Sequence, residues 1–144
     1  MIAYALSVIS DRLQALTRAL DADPTLPGKL LVYGGPRPAA GGVPDSASSV
    51  LATLVFPRPS LNNVTTNVLT LLNPSPAMVT TTGLATWARM VSGSGQFVAD
   101  MDVGTDADTD VEVVIRKADN SPAETANLYA GGEFSVSLAR LVDA

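Results

Sequence analysis

The apolar periodicity of this chain changes once, close to Asp21-Ala22-Asp23-Pro24, and that change decides the fold class. Before it, Ile2, Leu6, Ile9, Leu13, Leu16 and Leu20 recur at alternating steps of four and three, which places all six on one stripe of a helix. Asp11, Gln14 and Arg18 fall on the opposite face with Ser7. The spacing predicts a helix over residues 2–21, stopped by Pro24, because proline disfavours helical backbone in the residue before it. The stripe suits a helix laid against a sheet of its own domain. It also suits docking onto a neighbouring subunit, although it is too short for an independent coiled coil.

Beyond Pro24 the chain breaks into short extended runs. Lys29–Tyr33, Ser49–Phe56 and Val68–Leu72 read as strands, bounded by the turn-rich segments Gly34–Gly42, Pro57-Arg58-Pro59 and Asn73-Pro74-Ser75-Pro76. The clearest unit is Leu84–Val91 and Gln96–Val103 joined by Ser92-Gly93-Ser94-Gly95, the pattern of a β-hairpin. Pairing Val91 with Gln96 predicts a core face of Leu84, Thr86, Ala88, Met90, Phe97, Ala99, Met101 and Val103. Trp87, Arg89, Asp100 and Asp102 then share the other face, with Arg89 reaching Asp100 diagonally. Burial beneath the N-terminal helix is the expected place of Trp87; a half-exposed interface anchor is the alternative. Two more strands are expected near Val111–Arg116 and Glu133–Leu141. The sum is a mainly β protein: one domain over 1–144, with one N-terminal amphipathic helix over 2–21. Residues 29–141 form an antiparallel β-sandwich or barrel-like body, with Pro/Gly-rich surface loops at 34–44 and 57–76.

The length suffices for a real core without metals or cross-links. Composition narrows the chemistry. The chain has no histidine and no cysteine, so it lacks the usual general base, the commonest metal ligand and the thiolate nucleophile. Serines and threonines have no histidine to activate them, and Lys29 and Lys117 lie in no Ser–Lys motif. The glycine pairs Gly34-Gly35 and Gly131-Gly132 lack a phosphate-cradle pattern and read as turns. A net charge of −5 with scattered basic residues disfavours a phosphate-backbone reader, and no nucleic-acid partner is expected. Residues 1–6 carry no basic n-region, and no apolar run approaches the ~20 residues that span a membrane. Synthesis in the cytoplasm is therefore expected. Charged residues make up 16%, against the roughly 25% of ordinary soluble domains, which suggests a surface covered by assembly.

The acidic run Asp102…Asp106-Ala107-Asp108-Thr109-Asp110-Val111-Glu112 is the only candidate for metal. Asp106, Asp108 and Asp110 match positions one, three and five of a calcium loop. Val111 then replaces the glycine of position six, and Lys117 the glutamate of position twelve. These acids are expected to be a solvated connection, with calcium the minor reading. No cofactor is expected. Paired carboxylates could serve glycoside hydrolysis, but no stacking aromatics mark a sugar cleft.

The helix LSVISDRLQALTRALDA, then KLLVYGGPRPAAGG, SSVLATLVFPRPS and GLATWARMVSGSGQFVADMDVGT, follow one another in order. That order resembles a family of small proteins encoded among the virion structural genes of tailed bacteriophages. Its pattern is a helix, a YxGxRPAxGG turn, an LATLxF strand and an ATWxR hairpin. The matching residues are Leu31, Tyr33, Gly34, Arg37, Pro38, Ala39, Gly41, Gly42, Leu51–Leu54, Phe56, Ala85–Trp87, Arg89 and Gly95. The likeness covers most of residues 5–105 and carries structural positions, with no catalytic ones. It implies a virion protein that is not an enzyme, a capsid decoration or cement protein foremost, bound to the major capsid protein and to itself. A head–tail connector, neck or tail component is the alternative within the class. A surface carbohydrate- or calcium-binding module is the alternative outside it. Tyr33, Arg37, Trp87, Arg58, Asn62 and Asn63 are the expected partner contacts, because loops and Tyr, Trp and Arg side chains favour interfaces.

Overall fold

The computed structural model describes residues 3–39, 41–65, 68–138 and 141–142. Among the described residues a single helix, α1 (Leu6–Leu20), precedes twelve strands: β1 (Lys29–Gly34), β2 (Ser49–Val55), β3 (Leu61–Thr65), β4 (Val68–Leu71), β5 (Ala77–Met78), β6 (Gly83–Leu84), β7 (Trp87–Val91), β8 (Phe97–Gly104), β9 (Val113–Lys117), β10 (Asn127–Leu128), β11 (Glu133–Ser137) and β12 (Leu141–Val142). Seven of them form one sheet in the order β2-β1-β7-β8-β9-β11-β5. The chain after β5 turns back to β2, where the Thr80 and Thr81 amides and the Thr80 hydroxyl donate to the Leu51 carbonyl. The sheet is thereby nearly closed into a barrel, and the protein is mainly β with one N-terminal helix. All its neighbouring strands run antiparallel except β8 and β9, which touch in parallel over Val103↔Val113 and Gly104↔Val114. Two smaller sheets, β12-β4-β3 and β10-β6, complete the architecture.

Alternation along the strands sorts residues by face. Leu30, Val32, Ala52, Leu54, Ala88, Met90, Met101, Ile115 and Val136 are buried toward the interior. Leu69, Leu71 and Leu141 of the three-stranded sheet join them, as do Leu13 and Leu20 of α1, in one hydrophobic cluster. The end of the helix is fitted closely to the barrel. A Cβ on Gly28 would lie 2.5 Å from Leu20 Cδ1, so only glycine lets the first strand start under the helix terminus. Among the described residues no helix is long and apolar enough to cross a membrane.

Several expectations need correction. The 57–76 segment is not one surface connection, because residues 61–71 contain the β3–β4 pair. The expected strand Leu84–Val91 is two pieces: Leu84 pairs with Asn127 in β10 and is half exposed. The hairpin register also differs. A β-bulge shifts the pairing so that Val91 meets Phe97 and Arg89 stands directly opposite Asp100. Phe97 therefore leaves the core face and joins Trp87 and Arg89. The run expected over Glu133–Leu141 divides between two sheets as β11 and β12.

Candidate functional site

The outer face of β1, β7 and β8 gathers the residues singled out from the sequence. Tyr33 and Trp87 are cross-strand partners, and their rings stack with centroids 4.1 Å apart and planes 9° apart. The Arg89 guanidinium lies 5.4 Å from the Trp87 ring and 5.1 Å from that of Phe97, a cation–π position between two aromatics. Its Nε donates to Asp100 Oδ1 at 2.7 Å and its Nη2 to Asp100 Oδ2 at 3.0 Å. This bidentate pair is well sheltered, with side-chain exposures of 11% and 1%. The Asp100 hydrogen bonds hold the Arg89 pKa above its ordinary value, against a smaller opposing effect of burial.

The same pair fastens the Pro/Gly-rich segment that follows β1. Arg89 Nη2 donates to the Gly42 carbonyl at 2.8 Å, and the Gly41 amide donates to Asp100 Oδ2 at 3.3 Å. Arg37, from this segment, makes an ion pair with Asp102 at 2.9 Å, and the Thr86 hydroxyl donates to the Gly35 carbonyl. Gly41 has a positive φ of 74° and sits where a Cβ would be 3.4 Å from the Phe97 ring, so the segment lies flat on that ring. Trp87 is fully buried as expected, but not beneath the helix. It faces away from α1 and lies under the chain's own loop, because it alternates with Ala88 and Met90, which face the core.

Arg58 is also committed inside the molecule. Its guanidinium donates to the carbonyls of Asp21, Asp23 and Leu26 just beyond α1, while Asp21 Oδ2 accepts from the amide and hydroxyl of Ser60, each at 3.0 Å. Asn63 is exposed on β3. The side chain of Asn62 lies outside the described residues.

Asp106, Asp108 and Glu112 border one open depression with Arg116, but each carboxylate is engaged within the chain. Asp106 pairs with Arg116 Nη2 at 2.8 Å. Asp108 turns back to accept from the Thr105 amide at 2.8 Å. Asp110 stands apart on the wall of a groove beside α1, with Glu112, whose Oε2 accepts from the Asp102 amide at 3.1 Å. Among the described residues no three acidic side chains are grouped to hold a metal ion. The outer-face arrangement clamps the chain's own loop, through Arg89 to the Gly42 carbonyl and Asp100 to the Gly41 amide. Sequence reasoning missed the groove itself. Its lining joins α1, β8, β12 and the 105–112 connection, and no local pattern reports such a junction. Comparison with family models, curated proteins and solved structures gave no match.

Proposed function

We propose that this protein is a structural subunit that works by association, in the class of tailed-phage virion proteins, with capsid decoration or cement its foremost role. The observation that carries the reading is the uneven use of its surface. The side chains capable of chemistry on the outer face are tied to the chain's own loop, while Leu6 and Val8 of α1 stand exposed and an open, largely apolar groove lies beside Leu13 and Leu16 of the same helix. Apolar surface left uncovered next to a groove suits an assembly partner. The sequence resemblance to virion structural proteins points to the same class, and the low charge of the chain agrees with burial in an assembly.

The test is protein mass spectrometry with copy counting on purified particles of the phage that encodes the chain. A decoration protein is expected in hundreds of copies per particle. A ring of a few to a dozen copies would move it to the neck or tail, and absence from particles would overturn the virion reading.

A further inference from the structure

Strand β8 loses one neighbour halfway along. On one side it pairs with β7 from Phe97 to Asp102, but on the other it meets β9 only over Val103 and Gly104. Successive residues of a strand turn their backbone groups to opposite edges. The Val103 amide donates to the Thr86 carbonyl on the β7 side, so Asp100 and Asp102 turn their backbone groups away from β7. There the Asp102 amide donates to Glu112 Oε2 at 3.1 Å, in place of a strand carbonyl. Among the described residues the backbone of Asp100 has no such substitute on this edge. Its exposure agrees. The residue is partly exposed while its side chain is only 1% exposed, so the accessible atoms are main chain.

This unpaired edge borders the open groove beside α1. Glu112 belongs to both, and Ala99 and Met101 of β8 form the apolar floor with Leu13 and Leu16. The groove measures about 490 Å³, and since a water occupies roughly 30 Å³ of liquid it has room for several side chains. Asp110 stands on the same wall and, among the described residues, makes no hydrogen bond or ion pair. Among those residues no Lys or Arg lines the groove.

We infer that β8 and this groove take up an extended segment of a partner protein, added to the sheet as a short strand, with apolar residues at alternate positions and Lys or Arg between them. This rests on the reading of the protein as an associating subunit and names the segment its partner supplies. Each part of that description answers a feature of the site. Unpaired backbone groups on a strand edge are met in kind by another backbone, which makes the occupant a polypeptide. An added strand sends alternate side chains to the floor, which is apolar. Asp110 and the remaining oxygen of Glu112 select a cation on the same segment. The same acidic wall repels an anionic lipid surface or a phosphate-bearing ligand.

The test is amide NMR of the 15N-labelled full chain, titrated to millimolar concentration with the peptide acetyl-Lys-Val-Thr-Val-Lys-amide. Shifts should saturate over residues 98–102 and at Leu16 and Val111, with hydrogen exchange of the Asp100 amide slowed at least tenfold. The analogue with Glu in place of both lysines should bind at least tenfold more weakly at low salt. Asp110→Lys, at an exposed position, should reverse that preference. Peptides N-methylated at the valines or at the intervening residues each block one backbone edge, and only one of the two should bind. Binding by both would mean that side chains are held without strand pairing, and would overturn the inference. So would shifts confined to another surface, the lack of any saturable shift, or an unchanged preference in Asp110→Lys. The virion reading is judged separately, by presence of the protein in particles.

Discussion

Arg89 and Asp100 bear more on stability than any charged pair exposed to solvent, because water has little access to either partner. Removing the arginine takes the main donor from a sheltered carboxylate that keeps only the Gly41 amide at 3.3 Å. Arg89→Ala is therefore expected to lower unfolding stability by about 3–5 kcal/mol in urea titrations. The double change Arg89→Met with Asp100→Leu should recover much of that loss, since an apolar pair leaves no orphaned charge. The chain's one tryptophan supplies a direct readout. Trp87 is buried beneath the loop that Arg89 holds, so acrylamide quenching of its fluorescence should rise in Arg89→Ala before global unfolding begins. Asp23 and Asp119 test electrostatics of another kind. The backbone amides of Thr25 and Leu26 lower the Asp23 pKa, and the hydroxyl and amide of Ser121 lower that of Asp119. A carboxyl whose folded pKa is depressed stabilises the protein fully above its unfolded value of about 4, and loses that contribution as pH falls through the folded value. Asp119→Ala and Asp23→Ala should each lower Tm at neutral pH, with the gap to wild type closing as pH falls through the lowered folded value.

Among the elements, α1 depends on a residue far from it in sequence. Arg58 donates to the carbonyl of Asp21, which caps α1, and to those of Asp23 and Leu26 in the turn beyond it, while carrying the positive charge that a helix C-terminus favours. Arg58→Ala should cost about 1–2 kcal/mol, with Arg58→Lys intermediate because an ammonium cannot reproduce the planar fork. Loss of far-UV helical signal ahead of the β signal on heating would be its signature. The helix was legible from its stripe, and β1, β2, β7 and β8 from apolar runs between turn residues. The β3 strand was hidden, because Leu61-Asn62-Asn63-Val64-Thr65 carries two asparagines and becomes a strand only by pairing with β4 and packing under α1. The bulge opposite Met90 and Val91 was hidden as well. It follows from how the hairpin end closes, with the Ser92 amide donating to the Gln96 carbonyl, and no alternation in the sequence marks the extra residue. The site was legible in its members and not in its use. Tyr33, Arg37, Trp87 and Arg89 do lie on one face, yet as a clamp for their own loop, a relation set by contacts between residues some 50 apart in sequence.

At the scale of the whole molecule, two ways of being stabilised by a ligand can be told apart. Anything that binds only the folded state raises Tm by mass action, by about 2.7 kcal/mol of stability at a hundred times its Kd. A calcium site would require the acidic connection to gather its carboxylates, but Asp106 is drawn to Arg116 and Asp108 to the Thr105 amide. Freeing both would forfeit an ion pair and a turn before any ion was bound. Millimolar calcium is therefore expected to leave Tm unchanged. A second copy of the chain is a ligand of a different kind, needing no rearrangement of these residues and already present in every sample. Its effect should appear as a Tm that climbs with protein concentration, because unfolding then dissociates a dimer and dilution favours the separated chains. Calorimetric scans at a hundredfold range of concentration, with and without calcium, measure both effects on one protein. A Tm that rises with concentration and is indifferent to calcium would mark association with further copies, rather than an ion held by the acidic connection, as the way this molecule is completed.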